Sequence, residues 1–346
     1  MIKPQIKILP SAISHMPLLT VWEKSGVSQP HGFDLVVYPR DWGGRGSPPP
    51  GFIDIGSRDR GPKLLEGEYD FVSGLHHDPY YARARGDKRY TYLAQAQNDW
   101  DDRILCTEDI KEARDLEGKR VAVTSPNPCV FGNLKHSLEL AGADISRIEF
   151  RTVRELGLRG LQAPLDALTR GQAAAAGMDV PFDLQGEKRG LHRLDVPSVP
   201  VIHNCTITAN NEWVRANEET TIAFLKSMVD AIYFFKTEKQ KTCEIIQQHL
   251  APILGLQGPD EVEHLQRVWA ELLSPKPFPH PLAVWNVYNL DVADDPRVNM
   301  IGAFEIWNTS YLKIIDDSQY IDELYGGLID FVNPNAEREP RPEFLG

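Results

Sequence analysis

Through its first two hundred residues the chain alternates short runs rich in β-branched and aromatic residues with stretches of helical period. This alternation constrains the fold more than any other feature. Strands separated by helix-length connections pair in parallel, beneath crossover helices. The runs 5–10, 33–38, 69–73 and 90–95 read as strands, with helices over 15–24, 58–66 and 80–85. A second unit begins at Asp115, where a strand enters a turn ending at Ser125. It continues with a helix over 130–141, a strand over 148–153, a helix over 163–170, a strand over 173–178 and a helix over 181–189. From Glu212 the pattern is mainly helical, and 220–236 is its strongest amphipathic stretch. At 346 residues and 42% hydrophobic content, the chain has apolar material for two domains of ordinary size.

Charge and cysteine usage narrow the class. A net charge of −12 disfavours a broad nucleic-acid footprint, which needs a clustered basic face, but it leaves room for a local anion site. No apolar run is long enough to span a bilayer, so membrane insertion is not expected. Residues 1–9 alternate lysine with isoleucine and run into the first strand without a cleavage-site pattern. The expected location is therefore cytoplasmic, or periplasmic if a signal peptide has been removed. Cys106, Cys129, Cys205 and Cys243 lie far apart without zinc spacing and read as four buried thiols.

Three stretches together resemble the substrate-binding proteins of nitrate, sulfonate and taurine transport, a group that includes the thiamine pyrimidine synthase-like proteins. They are LLEGEYDFVSG at 64–74, DLEGKRVAVTS at 115–125, and ALTRGQ at 167–172 continuing to DVPFD at 179–183. Their order and spacing cover roughly residues 5–250. The resemblance implies an α/β, two-lobed type II periplasmic-binding-protein-like fold, each lobe a mixed sheet flanked by helices, with a helical C-terminal extension. It also implies crossings between lobes near 97–103 and 197–206. Lobe one would then comprise 1–98 and 205–346, lobe two 99–204, and 333–346 a loose tail. One departure is QAAAA after Gly171, where the group often carries an acidic residue.

In such sheets ligands sit beyond the carboxyl ends of strands, where helix N-termini offer N–H donors. The loop from Ser73 to Tyr81 is the most chemical of these, because His76, His77 and Asp78 follow Gly74 directly. Imidazole exchanges protons near neutral pH and an adjacent carboxylate can set its tautomer. Asp78 before Pro79 also reads as a helix N-cap. Ser14 and His15 follow the first strand. His15 is either a cleft residue or a solvated residue in a helix's first turn. Arg45 lies in a long Gly/Pro loop at 40–51, and Arg58 and Arg60 at the next helix start, where a guanidinium could clamp an acidic group. Thr124, Ser125 and Asn127 form a strand-to-helix turn facing the cleft from lobe two, with Asp179 beyond another strand. Trp42, Trp100 and Tyr80 are candidate stacking surfaces or plain packing. Adjacent His76 and His77 do not readily chelate one ion, so neither metal nor cofactor is expected.

Three functions fit. The first is a cytosolic enzyme acting on a small aromatic or heterocyclic acid through His76, His77 or His15, as a decarboxylase-like lyase or a hydrolase. The resemblance group includes aromatic sulfinate desulfinases, dihydroxyphthalate decarboxylases and pyrimidine synthases. No cysteine precedes Cys106, so the thiol that desulfinases carry in the first cleft loop is missing, and the cysteine cluster of the pyrimidine synthases is missing too. The second is the solute-binding protein of an ABC transporter for a sulfonate, carboxylate or heterocycle, partnered by a permease. The third is a metabolite sensor. All three take a small anionic or aromatic ligand, and the aromatic-rich stretch 284–313 could supply a homodimer face.

Overall fold

A computed structural model describes residues 3–38, 57–100, 103–124, 128–202, 204–289 and 296–326. The described strands are β1 (Gln5–Pro10), β2 (Asp34–Val37), β3 (Phe71–Ser73), β4 (Tyr90–Gln95), β5 (Asp99–Trp100), β6 (Arg103–Cys106), β7 (Arg120–Val123), β8 (Glu149–Thr152), β9 (Ala175–Met178), β10 (His192–Arg193), β11 (Val199–Pro200) and β12 (Thr206–Asn210). The helices of the first two hundred residues are α1 (Met16–Ser25), α2 (Ser57–Leu65), α3 (Asp78–Ala84), α4 (Pro128–Leu140), α5 (Ala163–Thr169) and α6 (Phe182–Glu187). Then follow α7 (Asn211–Ala216), α8 (Glu218–Thr237), α9 (Lys239–Ile245), α10 (Ala251–Leu254), α11 (Pro259–Leu272), α12 (Pro281–Val287), α13 (Ser310–Asp317) and α14 (Tyr320–Leu324).

The strands form two five-stranded sheets ordered β2-β1-β3-β12-β4 and β10-β6-β9-β7-β8. In the first, β1 pairs parallel with β2 and β3, and β12 runs antiparallel between β3 and β4. The second repeats this plan: β7 is parallel to β8 and β9, and β6 lies antiparallel between β9 and β10. Both sheets are therefore mixed, as the resemblance implies, with β6 and β12 the antiparallel members. Each enters its sheet directly after the chain crosses between lobes. The crossings themselves pair as an antiparallel ribbon, Val199 opposite Trp100 and Pro200 opposite Asp99.

Packing follows from the apolar spacing. In α8, Thr221, Phe224, Leu225, Met228, Val229, Ile232 and Phe235 are all buried, one continuous face at helical period. That face packs on α1, whose Leu18, Leu19, Val21 and Trp22 are wholly buried. Lys236 donates to the carbonyls of Ala270 and Leu273, the first by a very short contact, and so satisfies the open C-terminal end of α11. Separate apolar clusters lie under the second sheet, one around Ile104, Leu116, Val121 and Leu138 and one around Leu105, Leu165 and Phe182.

The C-terminal stretch returns to the first sheet. Tyr92 N–H donates to Ile306 O at 2.9 Å, and Asn308 N–H donates to Tyr92 O at 2.8 Å. Val284, Val287, Tyr288, Val298 and Ile306 are buried against Tyr80 and Tyr92, so these apolar positions of the aromatic-rich 284–313 segment belong to the core. Trp285, Met300 and Phe304 remain exposed. Among the described residues no helix is long and apolar enough to cross a membrane. Cys106, Cys205 and Cys243 are free thiols, the first two buried and the third partly so. The 333–346 tail and the side chain of Cys129 lie outside the described residues.

Candidate functional site

The cleft between the sheets is built from three sources. Lobe one contributes Ile13 and Ser14 from the turn after β1 and Pro17 from the start of α1, with Leu254, Val268, Trp269 and Leu272 from α10 and α11. The second sheet contributes Leu161, Met178, Asp179, Val180 and Phe182. The crossing segments supply Gln97, Asp99, Arg103 and Asn204. The wall is thus largely apolar, with its polar groups gathered where the chain crosses.

Two ties hold these groups in place. Arg103 Nη1 donates to Asp183 Oδ2 at 2.9 Å, and His264 Nε2 donates to the same oxygen at 2.8 Å. Arg267 in turn donates to His264 Nδ1 at 3.0 Å. Burial alone would raise the Asp183 carboxyl, but the His264 hydrogen bond and Arg103 outweigh it and hold Asp183 below the usual carboxylate range. Asp179 differs. Desolvation in the cleft, and next the negative Asp183, push its carboxyl upward, although its side chain still meets solvent at the rim.

Ser14 and Asp179 stand on the cleft wall. The three histidines do not line it. His15 is 3% exposed and lies beneath the wall. Its Nδ1 accepts the Cys205 backbone N–H at 3.0 Å with Ser73 Oγ 2.8 Å away, and Ser11 Oγ lies 3.2 Å from Nε2. The Cys205 contact makes Nδ1 an acceptor and leaves the ring proton on Nε2. Burial, with Arg60 as a smaller influence, pulls the His15 pKa down to about 3. His76 is buried beside it, ring centres 6.1 Å apart, and His77 stands 6.2 Å from His76 as the residue before α3. The N-cap is therefore His77, without a side-chain cap bond, and Asp78 is the first helical residue, which corrects the capping expectation for Asp78.

Gly74 fixes this region sterically. Its φ is +124°, and a Cβ there would lie 1.8 Å from Ser11 Oγ. Thr208 Oγ1 donates to Gly74 O at 2.5 Å and Tyr92 Oη to Leu75 O at 2.7 Å, so the loop after β3 is pinned to the sheet. Tyr80 is wholly buried and donates to Ala303 O at 2.6 Å, which makes it packing and not a stacking surface. Arg60, at the start of α2, lies close enough to act electrostatically on His15 and Asp78. Thr124 is exposed at the end of β7 and is not among the cleft residues. Arg45, Ser125, Asn127 and Trp42 lie outside the described residues, as do the side chains of Arg58 and Trp100.

Gln97, Asn204 and Arg103 fall in crossings that the sequence located, but their side-chain types carried no chemical signal. Trp269 and Phe182 were missed altogether. Nothing in the local pattern of α11 says that its Trp269 faces a cleft formed by residues far earlier in the chain.

The family model described as NMT1/THI5 like matches residues 104–240. No curated protein sequence matches the chain. Among solved structures, the periplasmic sulfonate-binding protein SsuA of a sulfonate ABC transporter from Methylobacillus flagellatus KT is similar with TM-score 0.64 at 14% identity, covering 93% of this chain and 97% of that one. The periplasmic nitrate-binding protein NrtA from Synechocystis PCC 6803 gives 0.58 at 11%, covering 91% and 89%. A mutant of DszB in complex with biphenyl-2-sulfinic acid gives 0.56 at 13%, covering 92% of this chain and 100% of that one. At these identities the likeness establishes the fold.

Proposed function

We propose that this chain, which has the two-lobed periplasmic-binding-protein-like fold, is a solute-binding protein that holds a small organic molecule between its lobes and hands it to the permease of an ABC transporter. One observation carries the reading. Among the described residues the cleft is lined from both lobes and both crossings, and its lining contains no histidine and no cysteine. A clamp needs contacts from two bodies and a hinge between them, whereas the proton-transfer chemistry expected of His15 needs a free ring nitrogen at the substrate. His15 has its Nδ1 turned to the Cys205 N–H and stays neutral far below neutral pH. Sulfonate- and nitrate-binding relatives of the same architecture support the reading.

An enzyme remains the second reading, and a different residue favours it. Asp179 is an exposed cleft carboxyl whose pKa is shifted upward, the direction that favours a general acid. Similarity to DszB supports this reading as well.

Calorimetry with a panel of sulfonates, carboxylates and neutral heterocycles, each incubation then analysed for product, separates the two. Saturable binding with unchanged ligand is expected. Conversion of any bound compound that is lost in Asp179→Asn transfers the case to the enzyme.

A further inference from the structure

The two buried amides at the crossings point to the kind of ligand. We propose that Gln97 and Asn204 read a neutral cis-amide edge, a carbonyl beside an N–H as in a lactam or primary carboxamide, in preference to an anion of similar size. The proposal rests on the solute-binding reading and names the ligand class of the same cleft.

Both residues line the cleft and are almost wholly buried, at 1% and 7% exposure. They are locked side by side. Asn204 Nδ2 donates to Gln97 Oε1 at 3.0 Å. Beneath them Gln95 Nε2 donates to the backbone carbonyls of Gln97, by a very short contact, and of Asn204, at 3.2 Å. The Thr206 hydroxyl donates to Gln95 Oε1. Once these bonds are counted, Gln97 Nε2 and Asn204 Oδ1 are each buried without a protein partner.

A buried polar atom left unmatched is unfavourable, so an adjacent unmatched donor and acceptor on one wall mark a place where another molecule supplies the complement. The complement of N–H beside C=O is C=O beside N–H. Exchanging the oxygen and nitrogen of both amides together preserves their mutual bond and still leaves one donor and one acceptor, so only the ligand's direction reverses.

A carboxylate or sulfonate presents acceptors alone and would set an oxygen against an amide carbonyl. The guanidinium of Arg103, on the same wall, is already paired with Asp183. Trp269 and Phe182 offer apolar surface for a ring attached to the amide.

The test uses the full chain and five small probes: 2-pyridone, its N-methyl derivative, benzamide, benzoate and benzenesulfonate. Binding is followed by calorimetry and by tryptophan fluorescence, to which Trp269 contributes. Benzamide and 2-pyridone are expected to bind at millimolar concentration. Removing the N–H by methylation should weaken binding about tenfold, and benzoate and benzenesulfonate should each be at least about tenfold weaker than benzamide. Gln97→Glu keeps the shape and the bond from Asn204 but turns the donor into an acceptor, and should lose benzamide affinity by a similar factor. If that variant does not fold, the comparison of 2-pyridone with its N-methyl derivative decides alone. Acids binding as tightly as benzamide, or indifference to N-methylation, overturn the amide proposal and leave the clamp reading intact. Absence of binding by every probe also overturns it, and the wider calorimetric panel then judges the clamp separately.

Discussion

An imidazole buried away from any carboxylate is stable only as the neutral base, and this sets the pH response of the loop after β1. His15 falls from an ordinary 6.5 to about 3, through burial first and Arg60 second. The unfolded chain therefore binds a proton below pH 6.5 that the folded chain refuses. This contribution to stability is complete above about pH 6.5 and declines as pH falls toward 3, by roughly 1.4 kcal/mol per pH unit. His15→Asn can keep an acceptor near the Cys205 N–H without a titrating group. Urea unfolding of both proteins from pH 7 to pH 4 should show the native protein's advantage shrinking at about that slope. Parallel profiles would mean that His15 is not held neutral. A sequence places a histidine at a strand end but says nothing of its depth, and depth separates a proton carrier from a hydrogen-bond bracket. The same gap hid Gln97 and Asn204, whose meaning comes only from what each amide leaves unmatched.

At the scale of elements, the sequence was legible wherever a single face is apolar. The helices α1, α5 and α8 and the strands β1, β4 and β9 stand within a few residues of the expected ranges, because each shows its own period. The antiparallel insertions β6 and β12 were not read. Thr206 to Ala209 is buried on both faces, so it lacks alternation, and its threonines disguise a central strand. Pairing between α6 and α11 was equally invisible, since about eighty residues separate them. Gln185 Nε2 donates to Glu261 Oε2 at 2.9 Å, and Lys188 pairs with Asp260 and Glu261, beside the Arg103–Asp183–His264 tie. These contacts are unequal. Asp183 is buried with two cationic or donor partners, so Asp183→Asn removes the carboxylate that Arg103 and His264 share and should lower stability by about 3 kcal/mol. Lys188 is exposed, and Lys188→Ala should change stability by less than about 1 kcal/mol. Denaturant titrations giving equal losses for the two would remove Asp183 as the principal tie between these helices.

The whole molecule repeats one sheet plan twice, and the chain serves the two copies differently. The first sheet draws β1 to β4 from before the crossing and β12 from after it, and its cores take in α8, α11 and α13. The second sheet, β6 to β10, comes from one continuous stretch, Arg103 to Arg193, with apolar clusters of its own that extend to Val196. A unit with continuous chain and a private core has the means to fold alone, whereas the first sheet must wait for β12 to arrive between β3 and β4. An excised 103–196 segment should therefore give a far-ultraviolet circular dichroism spectrum of mixed helix and strand and melt in one cooperative transition. The complementary 1–98 piece, lacking the strand that joins β3 to β4, should do neither. A 103–196 segment with the spectrum of a random coil would show that the contacts of α6 with α11 are required for folding, and that the molecule is one cooperative unit despite its two sheets.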